Sequence, residues 1–251
     1  MKEEKELVVR SDEALAVYEG LKESTPIDTR DLMIPKIVLM QGLSKRVTDD
    51  LAKFGEMRDS LSNKLLGDSK NPLEIIPIHV QKAWVIYNKI NSKYEYVNQV
   101  KRDFSNEDWE LEGMVDGIEV RRDRCINYFV LLTEEIADDI YFPYLISFRR
   151  TSYNAGKTLE THRAKYEMFK KPVSFSTYNL CCSKEENDKG VYYIFKVSES
   201  RRTTPEELEA VKRWKAVIDS KPVAVDNSDL MGDETAPVVE KRENMGEGDR
   251  F

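Results

Sequence analysis

The sequence predicts a mainly β fold with helices (α+β), and three observations carry that expectation. Short apolar runs recur along the chain, several of them alternating with polar residues, and turn residues separate them. Strands and helices do not alternate in the manner of a parallel sheet. Beyond the first thirty residues, only residues 158–171 and the segment after Thr204 read as helices of useful length.

The elements follow in order. Residues 1–30 are charged and carry Leu15, Val17, Tyr18 and Leu21 at the spacing of a short amphipathic helix, which Gly20, Ser24 and Pro26 break up. Residues 34–40 form an apolar run with Pro35 near its start, a short edge strand because proline cannot donate to a ladder. Residues 43–71 read as a polar excursion with a helical turn or a small hairpin. Residues 73–80 are a strand, continued by 83–87 past a bulge or corner at Gln81–Lys82, and 94–97 pair back as a hairpin. Residues 100–120 are acidic and contain glycine, a surface loop around Trp109. Residues 125–132 are strongly apolar and read as a central strand, and 134–139 turn it into a second hairpin strand, 140–148. After the helix at 158–171, residues 173–182 and 191–197 pair around a turn at 184–190 that supplies Asp188 and Gly190.

Thr204 then stands at an N-cap, Pro205 at the first helical position and Glu206–Glu207 in the first turn. Leu208, Val211, Trp214 and Ile218 give this C-terminal helix an apolar stripe for docking on a sheet. Short antiparallel strands with one helix between them and another closing the domain fit an OB-like antiparallel barrel with insertions. The expected organisation is a charged N-terminal segment with a short helix (1–30), the OB-like domain (31–219) and a disordered acidic tail (220–251).

At 251 residues with 40% apolar and 34% charged residues, the chain can bury a real core inside a very polar surface. No run approaches the length of a membrane helix, and the opening Met-Lys-Glu-Glu-Lys-Glu lacks a signal-type apolar run, so a cytoplasmic protein is expected. The net charge of −7 is uneven: residues 226–251 hold eight acids and three bases, residues 1–30 eight acids and five bases, which leaves +1 on the remainder. A locally basic face is therefore compatible with an acidic chain.

Several chemistries find no residue set. The three cysteines, Cys125, Cys181 and Cys182, with only two histidines and no Cys-x-x-Cys, read as strand thiols, not as a zinc site. Ala155-Gly-Lys-Thr158 resembles the end of a P-loop, but the earlier glycine position is Thr151. Glu134–Glu135 and Asp138–Asp139 bunch in a turn instead of facing each other, which disfavours a metal-dependent nuclease. The expectation is a non-enzymatic binding protein with neither cofactor nor metal.

The positive signal is aromatic residues interleaved with basic ones, the composition of single-strand binders that stack bases on rings and follow the backbone with Lys and Arg. The candidates are Trp84, Tyr87, Tyr94 and Tyr96 on the first hairpin. The strand-to-helix corner adds Phe148, Arg149, Arg150, Tyr153 and Lys157, and the helix adds Arg163 and Lys165. Such a corner can present Arg149, Arg150, Tyr153 and Lys157 together on the rim of a barrel. The acidic tail ends Gly246-Glu-Gly-Asp-Arg-Phe251, so Asp249 and Phe251 are candidates for capture in an apolar pocket with a basic rim.

A barrel-like core followed by an acidic tail ending in Phe251 resembles the single-stranded DNA-binding proteins of bacteriophages, particularly the T7-like kind. Ile34-Pro-Lys-Ile-Val-Leu-Met-Gln-Gly-Leu-Ser44, Phe148-Arg-Arg-Thr-Ser-Tyr-Asn-Ala-Gly-Lys157 and Asn187-Asp-Lys-Gly-Val-Tyr-Tyr-Ile-Phe195 also resemble phage early-region proteins, over roughly residues 31–218. The first resemblance implies a protein of phage replication or recombination. Its partners are single-stranded DNA and, through the tail, replication or recombination proteins; no membrane is involved, and a homodimer is allowed. Lys241, Arg242 and Arg250 depart from the acidic pattern of such tails. The alternatives are a strand-annealing recombination protein and a protein-binding phage factor without DNA affinity.

Overall fold

A computed structural model describes residues 33–220, except 91, 92, 139, 140 and 189. The chain divides into two units, Met1–Met33 and Ile34–Phe251, and every described element belongs to the second. The helix expected within residues 1–30 and the tail from 221 onward, with Asp249 and Phe251, lie outside the described residues.

The first described elements are β1 (Ile37–Leu39), α1 (Lys45–Thr48), β2 (Met57–Asp59) and β3 (Leu65–Gly67). They are followed by β4 (Leu73–Ile90), β5 (Lys93–Lys101), β6 (Glu112–Val115), β7 (Ile118–Leu132), α2 (Thr133–Ala137) and β8 (Tyr144–Arg149). The chain continues through α3 (Tyr153–Met168), β9 (Ser176–Asn187), β10 (Gly190–Arg202) and α4 (Pro205–Ser220). The mainly β, antiparallel character expected from the sequence is what the structure has, with a C-terminal helix docked on it.

The expected closed barrel does not form. A three-stranded sheet has the order β1-β2-β3; a seven-stranded sheet has the order β10-β9-β4-β7-β6, with β5 on β4 and β8 on β7. Among the described residues one parallel bridge joins the two sheets, Lys36 to Leu145. Where a barrel would need a ladder to β10, a single side chain stands in. The Gln41 amide donates to the Tyr193 carbonyl (2.8 Å) and accepts from the Tyr193 N–H (3.1 Å), satisfying both backbone groups of one residue and no more.

β4 is a single strand of 18 residues, up to about 60 Å long. The break expected at Gln81–Lys82 is absent. The irregularity falls instead between Pro77 and His79, where the register to β7 shifts beside the residue that has no N–H to give. β7 explains its own apolar run: Ile126, Tyr128 and Val130 face a core that includes α3, while Phe129 and Leu131 face a second core under α4. A strand covered on both sides carries no polar alternation.

α3 begins at Tyr153, five residues before the sequence suggested, after Arg150 turns the chain with φ 48°. Gly156 is therefore inside the helix, not in a phosphate loop. A Cβ there would stand 2.8 Å from Phe148 Cβ, so the glycine lets helix and sheet approach closely. α4 starts with a reciprocal cap: the Glu207 N–H donates to Thr204 Oγ1 (3.3 Å) and the Thr204 N–H to Glu207 Oε2 (2.8 Å). Its Ala210, Val211 and Ile218 bury against Ile76, Ile78, Phe129 and Leu131, a gain of roughly 1.5–3 kcal/mol for each larger side chain.

Candidate nucleic-acid interface

Of the region expected to be a surface loop, residues 100–120, the part 102–111 around Trp109 is irregular, and the rest is the end of β5, β6 and the start of β7. Together with the far halves of β4 and β7 it forms a four-stranded arm in the order β5-β4-β7-β6. Strand alternation and register decide what each face carries. Trp84 stands opposite Arg124 and Val100, and Ile86 opposite Arg122, so Trp84, Arg122 and Arg124 share one face. The Arg102 N–H bonds to the Lys82 carbonyl (2.9 Å), which brings Arg102 to the same place.

Here three arginines lie against two tryptophans. The guanidinium carbons of Arg102 and Arg124 stand 5.8 and 5.5 Å from the Trp84 ring, and that of Arg122 stands 5.2 Å from the Trp109 ring. The two indoles are 6.4 Å apart at 30°. Arg102 donates to Tyr153 Oη (3.1 Å) and Arg122 to the Glu110 carbonyl (3.1 Å), both neutral acceptors. Among the described residues none of the three has a carboxylate within ion-pair distance, and the buried Arg122 Nε has no acceptor. The turn over Trp84 is pinned by Asn106, whose carbonyl accepts from the indole N–H (2.9 Å) and whose amide bonds back to Lys101 O (2.8 Å). The exposed Asp103 accepts from the Ser105 hydroxyl and N–H, which hold its carboxyl below its ordinary pKa. Outside, Phe104 is 98% exposed and Trp109 37%, two rings open to a ligand at the edge of the arginine cluster.

The expected site residues are dispersed. Trp84, Tyr87 and Phe148 are core, fully or almost fully buried, and offer no free ring face, which corrects the expectation that they stack bases. The corner does not present its residues together either, because β8 alternates. Phe148 packs under Gly156, whereas Arg149 goes to the opposite face and donates to Tyr87 Oη (2.7 Å) while 3% exposed. Arg150 binds Asp123 (2.5 Å), and Tyr153 turns to Arg102. Tyr94 lies half-buried on the arm and donates to Glu119 (2.7 Å), with Tyr96 also half-buried nearby against Tyr87. Lys157 and Lys165 are exposed on α3, Lys165 over the Tyr166 ring at 5.8 Å.

Arg163 is held on Glu160 by two bonds of 3.0 Å. Burial by itself would raise the pKa of Glu160. Hydrogen bonds from Arg163, Lys82 and Tyr128 outweigh that and bring it down to about 2. This is a structural network with every charge answered. Of the residues in the arginine cluster, Trp84 and Tyr153 are singled out by the sequence, and none of the three arginines is. Arg122 and Arg124 left one signal, their spacing of two on a strand, but the tryptophans they meet are set by register and by the turn.

Cys125 and Cys182 are buried and Cys181 half-buried, all three as free thiols; burial, with Cys181 next, pushes the Cys182 thiol up to about 11. Among the described residues no group of three or more His, Cys, Asp or Glu side chains is placed to hold a metal ion, and no helix is long and apolar enough to cross a membrane.

Fold and site define an antiparallel β protein with a docked C-terminal helix and an arm that displays unmatched arginines. A family model for the Pam3 phage gp34-like proteins matches residues 3–222, and the chain belongs to that bacteriophage-related family. No curated protein and no solved structure matches it.

Proposed function

We propose that this phage protein is a non-enzymatic single-stranded DNA-binding protein of replication or recombination, and that the strand lies along the Arg102–Arg122–Arg124 face of the arm. The observation that carries this reading is the set of three arginines held by aromatic rings and neutral oxygens, with no carboxylate of the described residues within ion-pair distance, beside the open rings of Trp109 and Phe104. Arginines so placed are pre-positioned for phosphates, and the open rings suit stacking, worth about 1–3 kcal/mol per base. In the same reading the acidic tail, with Asp249 and Phe251, recruits replication or recombination proteins in the host cytoplasm.

A second reading, a protein-binding phage factor without DNA affinity, is favoured by the exposed Leu111, Met114, Val115 and Ile118 along β6 and its turn. Titration of the full chain with oligo-dT, followed by tryptophan fluorescence, separates the two. The DNA reading expects quenching and an affinity that falls steeply with salt. Absence of binding at low salt leaves the protein-binding reading.

A further inference from the structure

The aromatic–arginine face is one end of a longer feature. Tyr153 opens α3 beside Arg102, and two turns on Glu160 binds Lys82 (2.7 Å), so helix and strand run side by side. From Tyr153 to Glu167 that is about 21 Å of helix. At its far end the walls part around a cleft of about 300 Å³, with Arg163 and Glu167 of α3 on one side and Lys215 of α4 on the other. The cleft has a topological cause. On that edge of β4, β9 pairs only from Leu73 to Ile75 and β5 only from Ala83 to Ile90, so the stretch between has no ladder partner there.

Its lining is apolar below and cationic at the rim. Ile78, Val80, Tyr128 and Val173 supply the apolar surface. Lys171 lies 3.7 Å over the Phe175 ring and has no carboxylate within ion-pair distance among the described residues. Lys215 shares Asp219 (2.6 Å) with His79 (3.4 Å). Burial, with Lys215 adding to it against Asp219, holds His79 below its ordinary pKa, so at neutral pH it is an uncharged hydrogen-bonding group. Arg163 is spoken for by Glu160 and, at 3.6 Å, by Glu167. That leaves Lys171, with Lys215, whose i,i+4 pair with Asp219 is exposed on both sides and so worth little, to meet an incoming anion.

We infer that this cleft is a nucleotide subsite, which takes one nucleoside monophosphate unit with its base on the apolar floor and its phosphate between Lys171 and Lys215. Its volume is at the small end of ligand pockets, about 300–1,000 Å³, which suits one nucleotide and not several. The inference rests on the DNA reading of the arginine face for the identity of the ligand and extends it along α3 to a defined end.

The test is calorimetric titration of the full chain with dTMP, thymidine and inorganic phosphate separately, for the wild type, Lys171→Gln/Lys215→Gln and Arg122→Ala/Arg124→Ala. Circular dichroism and the melting midpoint establish that each variant is folded. Saturable dTMP binding is expected, with thymidine and inorganic phosphate each weaker by about tenfold or more. The lysine variant should weaken dTMP by about tenfold, and the arginine variant should leave it within about twofold. Absence of dTMP binding, or dTMP binding unchanged in the lysine variant, overturns the subsite. Oligo-dT binding without dTMP binding would sink the cleft alone; dTMP binding through the lysines without oligo-dT binding would sink the arginine face alone.

Discussion

The body and the arm are threaded by the same two strands, β4 and β7, yet a cluster of cations in each is held in an opposite way. In the body Lys82 and Arg163 meet the carboxylate of Glu160, and Arg201 those of Glu74 and Glu207. In the arm Arg102, Arg122 and Arg124 rest on indole rings and neutral oxygens. An answered charge holds the protein together and has little left for a ligand. A charge held in place by a ring keeps its field for an anion from outside, at the cost of mutual repulsion among the three. This difference, not a count of basic residues, singles out Arg102, Arg122 and Arg124 as the candidates to meet a ligand.

The two tryptophans offer the strongest way to break that comparison. Trp84 is fully buried, so Trp84→Ala should cost about 3–5 kcal/mol of stability by chemical denaturation. Trp109 is partly open, so Trp109→Ala should change stability by about 0.5 kcal/mol or less and weaken oligo-dT binding by about 1–3 kcal/mol. If the two exchanged these roles, the division of the arm into a buried support under the arginines and an open ring beside them would be wrong.

Glu160 is the body's counterpart. Glu160→Ala leaves Lys82 and Arg163 without their carboxylate and should cost about 2 kcal/mol, less than a fully buried pair because Lys82 and Arg163 are partly exposed. Oligo-dT affinity should not follow. Gly156→Ala should cost about 1–2 kcal/mol, since overpacking against Phe148 exceeds the helix propensity gained.

The smallest effect is in pH. The folded-state pKa of Glu160 is about 2, below its ordinary 4.5, so its contribution is fully present above about pH 4.5 and is lost as pH falls towards 2. Allowing for solvent screening, this amounts to about 1 kcal/mol. Glu160→Gln should flatten that part of the stability–pH curve, and an unchanged slope would remove Glu160 from the account.

Local chemistry was legible in the sequence and register was not. The Thr204–Glu207 cap and the apolar run in β7 each follow from neighbours along the chain, as does the return of β10 from Gly190, although β9 runs on to Asn187 through what reads as turn. Barrel closure did not, because whether β10 meets β1 through a ladder or through the Gln41 amide depends on residues 152 positions apart. The expected corner came apart for the same reason. The corner from Phe148 to Lys157 is rich in the right residue types, but strand alternation sends Arg149 to Tyr87 and leaves Tyr153 with Arg102. Residues 100–120 read as an acidic loop, since the bonds of Asn106 that fold the turn over Trp84 leave no pattern in composition.

The central claim is that the unmatched arginines of the arm hold a phosphate backbone. Its most direct test is the affinity for oligo-dT as a function of salt, for the wild type and for Arg122→Ala/Arg124→Ala. The account predicts that the double variant, with unchanged melting behaviour, binds about a hundredfold more weakly at low salt, and that its log–log salt slope is shallower by about 1.4, two phosphate contacts on a single strand. Equal affinity and equal slope for the two proteins would contradict it.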